Sequence, residues 1–241
     1  MNIVLKIGGS ILFKDLNLNF GLLERLITNI GRLANRNKIV IVTGGGRPAR
    51  MYIDWCRSLG LSEFECDTLG ILVSRLNAKL LTYLARREYK ELRVFWDTPS
   101  SVYDLPSLID TYDIVFCGGF VPGQSTIGVA TEVCEAIGSK HLFVATDVDG
   151  IYNKNPKHFP DAKKVDIITA SELIEMFAGA EQIAGTYRLF DLQSLKIIQR
   201  SGIIVTVFDG RNIDICVDVI EKVLARRFDD AKKFASIVYP H

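Results

Sequence analysis

Ile3-Val4-Leu5-Lys6-Ile7-Gly8-Gly9-Ser10 is the stretch on which the fold turns. A short apolar run carries one lysine near its end and then breaks into two glycines and a serine. Bare backbone N–H groups beside a cation suit an anion. Three later segments repeat the layout: Ile39 to Thr43 before Gly44-Gly45-Gly46, Ile114 to Cys117 before Gly118-Gly119, and Leu142 to Ala145 before Thr146-Asp147-Val148-Asp149-Gly150. A single glycine turn is most simply a tight connection needing positive φ. Four of them at the ends of apolar strands point to a sheet whose strand ends converge on a phosphate-bearing ligand.

Helical patterns fill the gaps between these strands. Asn19 caps a helix with apolar residues at 22, 23, 26, 27, 30 and 33, and Arg47-Pro48 opens a second. A long helix runs from Ser62 into Arg86-Arg87. Its face of Leu69, Leu72, Val73, Leu76, Leu80 and Leu84 is assigned to core packing, with a subunit contact as the other reading. Leu92 to Trp96 reads as a buried strand, Ser100 to Leu108 as a short helix, and Ser125 as the cap of a helix through Ile137. A strand begins at His141, and Tyr152 to Lys164 forms a surface loop or hairpin. Helices start near Ser171 and Asp191, Ile203 to Phe208 is a late strand, Asn212 to Arg227 is amphipathic, and Ser236 to Tyr239 closes as an edge strand. This alternation predicts an α/β fold with a mainly parallel sheet and helices on both faces, where ligands sit outside the carboxyl ends of the strands.

Composition narrows the function. With 29 Lys+Arg against 28 Asp+Glu and a net charge of +1, the 241-residue chain has no bulk electrostatic case for nucleic acid or an acidic membrane. No apolar run reaches the ~18 residues of a membrane helix, and no signal-type segment follows Met1, so a cytoplasmic protein is expected. Five cysteines without a CxxC pair and three scattered histidines argue for reduced buried thiols and against a zinc site. There is no GxxxxGK[ST]. Gly44-Gly45-Gly46-Arg47-Pro48-Ala49 matches GxGxxA, but the next strand ends only at Asp97, too far on for a dinucleotide site, which leaves a dehydrogenase as the alternative. No Ser-His-Asp set or catalytic carboxylate pair stands near the turns. Phosphoryl transfer to an acceptor that is already an anion needs none, because positioning and charge neutralisation carry it.

Lys6-Ile7-Gly8-Gly9-Ser10, Thr43-Gly44-Gly45-Gly46 with Ala49-Arg50, and Gly118 to Thr126 resemble the amino-acid kinase superfamily. The last stretch, with Ala145 to Tyr152 and Gly185-Thr186-Tyr187, Asp191 and Lys196-Ile197, is similar to its archaeal-type uridylate kinase branch. The resemblance covers Asn2 to about Phe208. It implies a three-layer α/β/α sandwich, a homohexamer, and transfer from ATP to UMP with Mg²⁺ carried on the nucleotide phosphates. The fold would be one domain over 1–241, with UMP in a lobe of about 1–140 and ATP in one of about 141–241.

By position, the resemblance implies that Lys6, Gly8, Gly9 and Ser10 hold the transferred group, with Lys6 and Lys196 as the catalytic cations. Gly46 and Arg50 would lie against the phosphates, and Thr146, Asp147, Tyr152 and Asn155 would line the ATP side. Gly45, Asp67, Phe120, Val121, Pro122, Gly123, Gln124, Ser125 and Thr126 would hold UMP. Other acceptors (isopentenyl phosphate, carbamate, an amino acid) and a non-catalytic nucleotide-binding oligomer are the competing readings within that fold. Without the resemblance, Arg50, Asp67, Lys196 and the lysines at 154, 157, 163 and 164 read as ordinary surface charges. The chain also departs from the pattern. Ile127 stands where many members of the superfamily carry an aspartate that orients two lysines, Asn155 where an aspartate is usual, and Asp147 where asparagine is common.

Overall fold

The computed structural model describes residues 1–179 and 189–241. The chain opens with β1 (Asn2–Ile7), α1 (Gly9–Leu12) and a ribbon of β2 (Phe13–Lys14) and β3 (Asn17–Leu18). It continues through α2 (Phe20–Ala34), β4 (Lys38–Thr43), α3 (Gly46–Ser58) and the 26-residue α4 (Glu63–Glu88). After a 3₁₀ turn come α5 (Leu105–Thr111), β5 (Ile114–Cys117), α6 (Thr126–Ala136) and β6 (His141–Thr146). A second ribbon, β7 (Ile151–Tyr152) with β8 (Lys164–Val165), leads to β9 (Ile167–Thr169), α7 (Ala170–Gly179) and α8 (Leu192–Ser201). The chain ends in β10 (Ile204–Asp209), α9 (Ile213–Leu224), α10 (Phe228–Ala231) and β11 (Ala235–Tyr239).

Seven strands form one sheet in the order β5-β4-β1-β6-β10-β11-β9, parallel except where β11 meets β10. Strand residues alternate between two cores, as the two-residue period requires. Ile3, Leu5, Ile39, Ile41 and Phe143 face a layer with α2, α4 and α9, while Val4, Val40, Val42, Val115 and Val144 face α5, α6 and α8. Burial on both sides explains the nearly continuous apolar runs of the central strands. Lys6, two residues after Val4, falls on the α6–α8 side at the carboxyl end of the sheet.

The helix starts follow local chemistry. The Asn19 side chain accepts from Leu22 N, Ser62 and Glu65 form a reciprocal capping box, and Ser125 and Asp191 accept from Gly128 N and Ser194 N. Gly202 ends α8 in the left-handed region, at φ 62°.

Three expectations are corrected. Leu92 to Trp96 forms only an isolated bridge between Val94 and Ile114, because Arg93 is drawn to Asp113 and Trp96 turns outward under Lys79. Strand β11 is not an edge: Ala235 to Val238 are buried between β10 and β9, and β9 takes the edge. On α4 the buried residues are Cys66, Ser74, Asn77, Ala78, Leu81, Thr82 and Ala85, so the wide leucine stripe is not the core face, although Leu84 packs against the core from its margin. Leu72 and Leu76 are 54% and 68% exposed, while small residues let the opposite face sit close to the sheet.

That inversion sets an expectation for stability. Leu81→Ala removes a fully buried side chain and should cost about 2–5 kcal/mol, read as a lower urea midpoint at unchanged slope.

Candidate active site at the strand ends

The carboxyl ends of β4, β1 and β6 lie side by side, and their turns are pinned together by main-chain bonds. Gly8 N donates to Ala145 O at 2.9 Å and Gly44 N to Ile7 O at 3.0 Å. The turns after β1 and β4 then touch: a Cβ on Gly9 would overlap the Gly46 amide, and Gly46 itself takes φ +67°. Glycine is required at both positions by contact and by conformation.

Lys6 Nζ lies over this junction, 3.7 Å from where a Gly8 Cβ would stand. Among the described residues it has no hydrogen-bonded or ion-paired partner within bonding distance. Burial pulls its pKa down to about 8, and the charge of Asp147 opposes that shift. A half-buried ammonium with open donors beside glycine amides is a receptor for an anion.

Helix α4 holds the neighbouring turns through polar groups the sequence reading passed over. Asn77 Nδ2 donates to Gly44 O at 2.9 Å, Ser74 Oγ accepts from Gly119 N at 2.8 Å, and Arg75 Nε donates to Gly119 O at 2.9 Å. Thr43 Oγ1 donates to Ser74 O at 2.8 Å. Buried serine and asparagine three residues apart inside an otherwise apolar helix are the signal that could have found them.

Beside the turns lies a cavity of about 200 Å³ between α3, α4 and the loop before α6. Gly45, Asp67, Val121, Gly123, Gln124, Ser125 and Thr126 all line it; Phe120 and Pro122 do not, and Phe120 packs against the core. Asp67 accepts from Gly123 N at 2.7 Å, so its helix and the loop close on one another. Gln124 presents a buried amide oxygen without a hydrogen bond among the described residues. Ser125 caps α6 and donates to Asp191 at 2.5 Å, joining this loop to the start of α8. Burial disfavours the Asp191 carboxylate, but bonds from Ser125 and Ser194 outweigh it and hold its pKa below the usual range.

The third group stands at the end of β6. Thr146 is buried and its carbonyl accepts from Gly210 N at 2.8 Å; Tyr152 donates to Asp149 at 2.7 Å, and Asn155 shapes its loop by accepting from Lys157 N at 3.0 Å. Lys157, read as part of a solvated face, reaches back and binds Asp147. Thr146, Asp147, Tyr152 and Asn155 thus stand on one flank, at and beyond the end of β6.

Ser10 stands exposed beside the Gly8 turn, Arg50 is exposed on α3, and exposed Lys196 lines a separate groove with Glu132 and Arg200. The Gly185-Thr186-Tyr187 motif lies outside the described residues. Ile127 is part of the core on α6 and offers no carboxylate to Lys6. The site offers no activated thiol: burial raises Cys117 and Cys216 to about 12. What remains is electrostatic, an anion receptor between two cavity walls, which is the equipment of phosphoryl transfer.

The Amino acid kinase family model matches residues 1–209. The uridylate kinase of Sulfolobus acidocaldarius is 39% identical over 216 residues, 89% of this chain and 92% of that one. That of Methanococcoides burtonii is 38% identical over 225 residues, covering 93% and 92%. Among solved structures, the uridylate kinase from Archaeoglobus fulgidus superposes with a TM-score of 0.77 at 33% identity, over 90% of this chain and 96% of the other. The UMP kinase from Bacillus anthracis gives 0.79 at 17% identity over 99% and 96%, a likeness of fold alone.

The Gly9–Gly46 contact yields a direct test of the junction. Gly9→Ala should push the two turns apart, cost about 1–3 kcal/mol in thermal stability and abolish protection by ATP in a melting assay.

Proposed function

The chain belongs to the amino acid kinase family, and from that premise we propose that it is a uridylate kinase. It transfers the γ-phosphoryl group of ATP to UMP, giving ADP and UDP for pyrimidine nucleotide synthesis. The observation that carries this reading is the junction itself: an unpaired Lys6 ammonium over two touching glycine turns, with a cavity closed by Asp67 and Gly123 on one flank and the Asp147 loop on the other.

The roles follow from charge and placement. Lys6 and the amides at Gly9 and Ser10 hold the group in flight, where negative charge spreads over three oxygens, and Gly8 sets the turn through its own bond to Ala145 O. UMP fills the cavity, with Asp67 accepting from its ribose and the loop of Val121 to Thr126 wrapping the base and phosphate. Gly45 belongs to that wall, and Phe120 and Pro122 shape the loop from behind. ATP lies along Thr146, Asp147, Tyr152 and Asn155, with Gly46 and Arg50 toward its phosphates. Lys196, within the second turn of α8, is the second cation of this reading and must swing out of its groove beside Glu132 and Arg200 to reach the β- and γ-phosphates. In this reading the acceptor half spans about 1–140 and the donor half about 141–241. No proton need be removed from a phosphate acceptor, so no general base is required.

Mg²⁺ comes with ATP. Among the described residues no three His, Cys, Asp or Glu side chains are grouped to cage a metal, and the ion commonly needs few protein ligands beside phosphates and water. Bound there, it neutralises phosphate charge.

We also propose a homohexamer in the cytoplasm. Among the described residues no helix is long and apolar enough to cross a membrane, and all five cysteines are free and buried, as a reducing compartment leaves them. The exposed α4 stripe of Phe64, Leu72, Leu76 and Tyr83, continued by Trp55 of α3, is the apolar surface on which copies would associate. Leu72→Glu with Leu76→Glu should then dissociate the particle in light scattering while circular dichroism stays native.

The reaction is tested by coupled ADP release over nucleoside monophosphates, isopentenyl phosphate, carbamate and amino acids. UMP should be the favoured acceptor, and nucleotide binding without ADP release would identify a storage protein. Lys6→Ala should lower kcat by about two orders of magnitude or more. Asp67→Ala should raise KM for UMP about tenfold with little change in KM for ATP.

A further inference from the structure

Lys6 needs a counter-charge, and the side where an orienting aspartate was expected is closed by Ile127, 4% exposed in the core. The carboxylates near the junction can be compared by what already occupies them. Asp191 accepts from Ser125 and twice from Ser194, Asp209 is held by both arms of Arg211, and Asp67 accepts from Gly123 N. Asp149 accepts from Tyr152. Asp147 differs. Among the described residues its Oδ2 meets Lys157, while its Oδ1 has the long contact to the Thr146 hydroxyl at 3.4 Å, and its own backbone supplies a further bond, which leaves lone pairs open.

Its backbone continues the strand that pairs with β1. Lys6 pairs in register with Val144 and Ile7 with Ala145, and the Gly8 amide closes on Ala145 O at 2.9 Å, so Asp147 follows directly where β6 leaves β1.

We propose that Asp147 is the counter-charge of Lys6 that Ile127 does not supply, and that Lys157 is its second partner. Lys6, Asp147 and Lys157 then form one alternating set at the phosphate end of the donor site. The assignment rests on Lys6 being the phosphate-binding cation of the proposed kinase.

Electrostatics agree with the geometry. Asp147 is the carboxylate whose charge props up the Lys6 pKa against burial. Burial also disfavours the Asp147 carboxylate, yet the bond and charge of Lys157 hold it ionised, below its usual pKa. Arg211 stands on the other flank, within reach of the charges of Asp147 and Asp149, and Asp191 lies on the helix side, committed to its serines. Asp147 is therefore a positioning residue that acts through Lys6.

The test reads Lys6 directly. The ¹³Cε resonance of Lys6, assigned by its loss in Lys6→Arg, is titrated in the free protein. The wild type should titrate near pH 8. Asp147→Asn, close in shape, should move that midpoint down by about one unit, and Asp147→Glu should stay near the wild type. In steady-state kinetics the alkaline limb of kcat/KM should move with it, so that Asp147→Asn loses about fivefold at the wild-type midpoint and recovers toward lower pH. An unmoved Lys6 midpoint in Asp147→Asn overturns the proposal. The titration needs no substrate, so it stands or fails separately from the kinase reading, whose own failure is a wild type that forms no UDP.

Discussion

A lysine ammonium at the inner end of a parallel strand is the constraint around which the rest of this molecule is arranged. Lys6 sits where the sheet is too dry to solvate it well and too open to neutralise it, and burial already brings its pKa to about 8. Such a charge is tolerable only if the surroundings keep an anion within reach. The flanking glycines allow this: Gly9 and Gly46 bring two backbones into contact and leave no side chain between an incoming phosphate and the amides.

The layers serve that junction. Helix α4 turns its small and polar face inward, and Ser74 and Asn77 fix the turns after β4 and β5 by bonding their backbones. The price is an apolar stripe left on the outside, so the precision of the site and the stickiness of the surface share one cause. On the opposite side, Ser125 and Asp191 tie the acceptor loop to α8, while Asp147 and Lys157 tie β6 to the hairpin beyond it. In the proposed reading, acceptor and donor walls are thereby referred to the same three strands, as in-line transfer demands.

Much of this was legible in the sequence because it depends on local pattern. Apolar runs broken by glycine identify the central strands, and Asn19, Ser62, Ser125 and Asp191 mark helix starts by their own hydrogen bonds. What failed depended on partners distant in sequence. The α4 stripe has helical spacing whichever way it faces, and only the packing of Ala78, Leu81 and Ala85 on the sheet decides the face. Leu92 to Trp96 has strand composition, yet Asp113 captures Arg93 and limits pairing to one bridge. The pocket wall from Val121 to Thr126 was readable as a motif. The link from Lys157 to Asp147 was not, because a lysine in a polar loop carries no local sign of where its chain will fold back.

The central claim is that one junction, Lys6 with the touching glycine turns, lies between a uridine pocket and an adenosine flank. A crystal structure with a bisubstrate analogue, adenosine and uridine joined through their 5′ oxygens by a polyphosphate, tests it most directly. The account predicts polyphosphate oxygens on Lys6 Nζ and the Gly9 amide, uridine against Asp67, and adenosine beyond Asp147 toward Asn155. A phosphate chain that bypasses Lys6, or a uridine on the Asn155 side, would contradict it.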